Sequence, residues 1–170
     1  QGLESGLNEV RRGREPRRVN HLILLTDGHT YGDEEACLAL ATQAAQEGIG
    51  ISALGIGADW NDVFLDQLTG RTGNSSRYSA RPQDIQKLLA EKFHSLTSVL
   101  AEEVTLEGKL ANGVHLNYAF RLQPEAGPLS FGETTKLGSI LRDVGLNVLL
   151  EFYVEPEAVE SHRVRLLEGT

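Results

Sequence analysis

The chain has 170 residues, 40% hydrophobic and 24% charged, which is the composition of a soluble globular protein with material for one sizeable core or two smaller ones. Its net charge of −8 argues against general affinity for nucleic acid, which is driven by clustered Lys and Arg. No apolar run approaches the roughly 18 residues that cross a bilayer, so no membrane span is expected.

Leu3, Leu7 and Val10 recur at helical spacing, so Gln1 to about Arg12 reads as an amphipathic helix, ended by Gly13 and Pro16. Arg11, Arg12, Arg14, Arg17 and Arg18 form the one basic patch, and a solvated linker explains it more simply than an acidic partner. Val19 to Thr26 is a short, nearly continuous apolar run, as expected of a strand covered on both faces. Asp33, Glu34 and Glu35 open an alanine-rich helix that ends near Gly48, with the acids in the first turn where the helix dipole favours them. Ile49 to Ile56 reads as a second buried strand. Asn61 or Asp59 can cap the next helix, which carries Val63, Phe64, Leu65 and Leu68 and is closed by Gly70 and Gly73. Arg77 to Ser79 is a short strand, and Pro82 suits the first turn of a long helix bearing Ile85, Leu88, Leu89, Phe93, Leu96 and Leu100. Strand and helix in alternation predict an open parallel sheet flanked by helices, a Rossmann-like α/β architecture.

The pattern then changes. Val104, Leu106, Gly108 and Leu110 alternate with polar residues, as do Val114, Leu116, Tyr118, Phe120 and Leu122. Asn112-Gly113 between the two runs is a tight-turn signal and predicts a β-hairpin. Leu146, Val148, Leu150, Phe152 and Val154 alternate again, and Val164 and Leu166 suggest a last strand. Residues 1–101 therefore read as an α/β domain and residues 102–170 as an antiparallel, β-sandwich-like module.

Ligands of open α/β sheets sit beyond the carboxyl ends of the strands, and Asp27 lies at such an end. Gly28 lets the chain turn there. A carboxylate at that rim is a hard oxygen ligand suited to Mg²⁺, Mn²⁺ or Ca²⁺, or equally a residue that starts the following loop. One Asp cannot make a site alone, because hard cations take about six oxygens. His29 stands beside it, and Tyr31 and Trp60 are aromatic residues on neighbouring rim loops, the type that anchors protein partners. Burial against the sheet is an equal alternative for Trp60.

Leu24-Leu25-Thr26-Asp27-Gly28 after an apolar strand resembles the fourth-strand signature of von Willebrand factor type A domains. Ile51 to Gly57, Phe64 to Leu68, Thr72-Gly73-Asn74, Tyr78 and Asp84 to Leu88 resemble later elements of that family in the same order, and Gly2-Leu3 to Gly6-Leu7 resembles the helix before the signature strand. The likeness covers about residues 1–101. It implies an N-terminally incomplete member of the fold. It also implies a metal-ion-dependent adhesion site built from Asp-x-Ser-x-Ser on the first strand, a loop Thr and the Asp matched here by Asp27. No Asp-x-Ser-x-Ser occurs in these residues. The resemblance therefore implies a site completed upstream of Gln1, with Mg²⁺ (or Mn²⁺ or Ca²⁺) bound weakly or not at all by this chain. It further implies a protein partner that offers an acidic side chain, and an unpaired edge along Val19 to Thr26 open to self-association. Less specifically, the tail from Leu137-Gly138 to Val154 resembles sandwich modules that follow such domains in some bacterial proteins.

Other features carry less. The chain has no methionine and opens on Gln1 in mid-pattern, so it reads as a piece of a longer protein and names no compartment. Cys37, the only cysteine, sits among apolar neighbours as an inert thiol and weakly favours a reducing compartment. Gly48-Ile49-Gly50-Ile51-Ser52-Ala53 fits a dinucleotide fingerprint in letters, but its glycines enter a strand instead of following one. His21, His94, His115 and His162 have no paired metal spacing, Ser75 and Ser76 lack a nearby base and acid, and Asp59 and Asp62 are explained by helix capping. No enzymatic activity is expected.

Overall fold

The computed structural model describes residues 1–15, 18–27, 29, 32–57, 60–132, 134–156 and 164–169. Pro16, Arg17, Gly28, Tyr31, Asp59 and His162 lie outside the described residues.

Its first unit alternates α1 (Gly2–Arg12), β1 (His21–Thr26), α2 (Glu34–Gln46), β2 (Gly50–Ile56), α3 (Asp62–Gly70), β3 (Ser76–Ser79) and α4 (Pro82–Thr97). The strands form a parallel sheet in the order β1-β2-β3, with His21 to Thr26 opposite Gly50 to Gly55 and Ala53 to Ile56 opposite Ser76 to Ser79. The central strand is the most buried, as a strand covered on both faces must be. Leu3 and Leu7 of α1, Ala41 and Ala44 of α2, and Phe64, Leu65 and Leu68 of α3 close over Ile49, Ile51 and Ala53 in one core. The small alanines let α2 approach the sheet closely. Asn61 caps α3, its Oδ1 accepting the Phe64 N–H at 3.1 Å, a contact of the kind that contributes about 1 kcal/mol.

Helix α4 departs from the sequence reading. Its inner side is the apolar stripe of Ile85, Leu88, Leu89 and Leu96, but that stripe also holds Lys92, 8% exposed, while Phe93 falls off it and is 60% exposed. Leu100 belongs to the next strand and not to the helix.

The second unit contains β4 (Val99–Leu110), β5 (Val114–Gln123), β6 (Gly127–Pro128), β7 (Thr134–Leu141), β8 (Asn147–Val154) and β9 (Leu167–Gly169). They form two three-stranded antiparallel sheets, β7-β4-β9 and β6-β5-β8. Val104, Leu106 and Leu137 of the first pack with Leu116, Ala119, Val148 and Leu150 of the second, and Leu129 and Phe131 fill between them.

Three expectations change here. Asn112-Gly113 does turn the chain, with Val114 N–H bonded to Ala111 O at 3.1 Å. The strands on either side are not a hairpin, however. β4 spends its backbone groups on β7 and β9, and β5 on β6 and β8, so the turn carries the chain from one sheet to the other. A bulge between Leu116 and Tyr118 then reverses the phase of β5. Arg121 is consequently buried at 2% exposure while Tyr118 is 46% exposed. Finally, β7 has no clean alternation and passes unread in the sequence, and the last strand falls at Leu167–Gly169, beyond Val164 and Leu166.

The two units have separate cores and meet at the amino end of the parallel sheet. There the turn before β3 touches β7 backbone to backbone. Gly73 (φ 68°) and Gly138 (φ 84°) face each other, and a Cβ on either would overlap the other's main chain.

Candidate functional site

The carboxyl ends of β1 and β2 form the opposite rim. β1 ends at Thr26, and Asp27 follows with an exposed side chain. Its Oδ1 accepts the His29 backbone N–H at 3.1 Å, the short-range turn that Asp side chains make readily. Its backbone carbonyl accepts the Asn61 N–H at 3.1 Å, which ties the loop after β1 to the start of α3. Asn61 Nδ2 also lies 3.5 Å from Glu34 Oε1 at the start of α2. Three loops thus converge on Asp27 through Asn61. The sequence marked Asn61 as a cap and Glu34 as a first-turn acid, but their separation along the chain gave no signal that they share a rim.

His29 is exposed and adjoins Asp27 through its backbone, as the sequence order requires. Trp60 has a different environment. Its ring covers Gly55 on β2, so closely that a Cβ there would overlap it, and stacks on Tyr78 of β3 with ring centres 5.2 Å apart and planes 17° apart. Trp60 is half-buried and packs against the core. Tyr31 lies outside the described residues. Asp27 and His29 are therefore brought together, and Trp60 stands on the adjoining loop with one face committed to the sheet.

A groove of about 310 Å³ opens beside the end of β1, between the start of α1 and the start of α2. Leu3, Leu24, Leu25, Cys37 and Phe64 line it, with His29 and Asp33. Burial raises the Cys37 thiol above its ordinary range, with Asp33 adding to the effect, so it is a poor nucleophile. The hydroxyls of Ser75 and Ser76 donate to Glu125 at 2.9 Å and to Asp66 at 2.5 Å. No three His, Cys, Asp or Glu side chains among the described residues stand together as a metal site would need. Asp27 supplies a carboxylate of the right chemistry for a hard cation, but the described residues do not fit a complete metal site. None of the described helices is long and apolar enough to cross a membrane.

The family model of the von Willebrand factor type A domain matches residues 1–92. An uncharacterized protein of Synechocystis sp. is 29% identical over 164 residues, covering 91% of this chain and 39% of its own. Among solved structures, a von Willebrand factor type A protein from Catenulispora acidiphila is 21% identical with a TM-score of 0.60, covering 88% of this chain and 38% of that one. The human COPII-coat protein Sec24c is 13% identical with a TM-score of 0.51, covering 90% of this chain and 24% of that one. These structural likenesses speak to the fold, and both extend beyond residue 92 into the β unit. The chain spans about two fifths of the length of the Synechocystis and Catenulispora relatives.

Proposed function

The chain belongs to the von Willebrand factor type A domain family, and from that premise we propose that it is a non-enzymatic protein-binding module of adhesion type in which Asp27 is one ligand of a divalent-metal site. The family suggests a protein-interaction module. The finer reading rests on one observation: an exposed carboxylate at the carboxyl end of β1, its Oδ1 held by the His29 N–H, on a rim where three loops converge. The remaining ligands would come from outside these 170 residues. When bound, Mg²⁺, or Mn²⁺ or Ca²⁺ in its place, would offer an open coordination position to an acidic side chain of a protein partner. His29, Tyr31 and Trp60 are the candidates for flanking contacts.

The test is calorimetry with Mg²⁺ and Mn²⁺ on a chain extended upstream of Gln1. Binding is expected, and Asp27→Ala should weaken it by more than about tenfold, since even outer-shell partners of a metal cost that much. Equal binding by the variant would overturn the assignment.

One observation favours a second reading, a structural or assembly module with a degenerate metal site. β1 is an edge strand of the described sheet and Leu25 on it is exposed. That reading expects oligomers indifferent to chelator, and a size distribution that shifts on chelation would exclude it.

A further inference from the structure

The contact between the two units is unusual in what it buries. Each unit has its own apolar cluster, and the contacts between them include a buried ion pair and hydrogen bonds to backbone. Glu125, on the loop between β5 and β6, places both carboxylate oxygens 2.8 Å from Lys92 Nζ on α4. The side chains of Lys92 and Glu125 are 9% and 18% exposed. The Ser75 hydroxyl, just ahead of β3, donates to Glu125 Oε2 at 2.9 Å. Arg121 of β5 holds the backbone of the same loop, its Nε donating to Glu125 O at 2.8 Å. Its Nη1 donates to Leu137 O at 2.8 Å and also to Gly73 O, so one guanidinium joins β5, β7 and the turn before β3.

We propose that Glu125 is an acid-operated latch: its carboxylate, carried by the β unit, closes on the Lys92 and Ser75 socket of the α/β unit, and protonation releases the two units from each other while each keeps its own core. The inference stands apart from the metal reading and involves no residue of the rim.

The charge balance explains the release. Among the described residues, Glu125 is the one anion of this cluster. Lys92 from α4 and Arg121 from β5 are cations, Ser75 donates a hydrogen bond, Arg77 from β3 acts on Lys92, and Lys92 in turn acts on His21 of β1. Adding one proton to the carboxylate neutralises it and leaves two buried cations without a counter-charge. Breaking one side of a buried pair is far costlier than replacing both sides with apolar groups. Burial alone would raise Glu125. Lys92, the Ser75 hydroxyl and Arg121 outweigh burial and hold it below the ordinary carboxylate range. A depressed carboxylate stabilises above its unfolded value, and the contribution is lost as pH falls through the folded one. The latch is therefore closed at neutral pH and opens in acid.

The experiment is hydrogen exchange on the full 170-residue chain, resolved by segment, for the wild type, Glu125→Gln and the double variant Lys92→Met with Glu125→Leu. Glu125→Gln mimics the protonated acid. At pH 7 it should speed exchange at the junction, in the turn from Gly73 to Ser75 and around Gly138, on the order of a hundredfold, while the amides of β2 keep wild-type rates. The double variant should restore slow exchange at the junction. In the wild type the same junction amides should open as pH falls through the titration of Glu125, a step that Glu125→Gln lacks. Unchanged junction exchange in Glu125→Gln would overturn the proposal. So would acceleration spread equally through β2, or a double variant whose junction exchanges as fast as that of Glu125→Gln.

Discussion

The two ends of the parallel sheet treat charge in opposite ways. At the carboxyl rim Asp27 stands exposed, its side chain accepting a neighbouring backbone N–H. At the amino end Lys92, Glu125 and Arg121 are withdrawn from water: Lys92 and Glu125 pair with each other, and Arg121 bonds the backbone of the loop that carries Glu125. An exposed charge is cheap to keep and free to serve a ligand. A buried charge is costly to keep and commits the surrounding structure to one arrangement.

That contrast is sharpest in backbone contacts. Gly138→Ala forces a side chain onto a residue at φ 84° and into the main chain of Gly73, so it should destabilise the protein by about 3 kcal/mol or more in denaturant melts. The corresponding close approach at the rim is softer, because the opposing group is the Trp60 ring and not backbone. Gly55→Ala should cost about 1–2 kcal/mol and shift the fluorescence of Trp60, the only tryptophan in the chain. A loss at Gly55 as large as at Gly138 would erase the difference between the two ends.

His21 belongs to the buried end. Burial, assisted by Lys92, lowers it to about 3, and its Nε2 lies 3.0 Å from the Ser52 hydroxyl. A folded value below the unfolded one means its contribution is intact above about pH 6.5 and is lost on acidification towards 3. Stability measured against pH should fall across that window with a slope of up to about 1.4 kcal/mol per pH unit from this residue, and His21→Asn should remove that component. A variant with the wild-type slope would mean that the imidazole is not buried neutral. The smallest effect is expected at the rim: Asp27→Ala should change stability by less than about 0.5 kcal/mol, as thermal melts can check. A larger loss would make Asp27 a structural residue and leave the rim without its ligand candidate.

Much of the first unit was legible in the sequence, because its helices and strands are written in short-range periodicity. Leu3 and Leu7, Ile51 and Ala53, and Leu65 and Leu68 all face one core as their spacing predicts. Asp27 was legible for the same reason, since the end of a buried strand can be located from the strand itself. The rim was legible only in part. Asn61 signalled a cap, and nothing local indicated that its N–H would reach Asp27 O.

The sequence by itself therefore determined the alternation of strand and helix, the change to antiparallel strands after it, and the position of one carboxylate at a strand end. Tertiary structure decided that the Asn112-Gly113 turn joins two sheets instead of two paired strands, because each strand found its hydrogen bonds elsewhere. It decided that a bulge turns Arg121 inward, and that α4 buries Lys92 and leaves Phe93 in water. The physical reason is one of range. Periodicity records which face of an element is apolar, but a buried charge is permitted only by its partner, and Glu125 lies 33 residues from Lys92 along the chain.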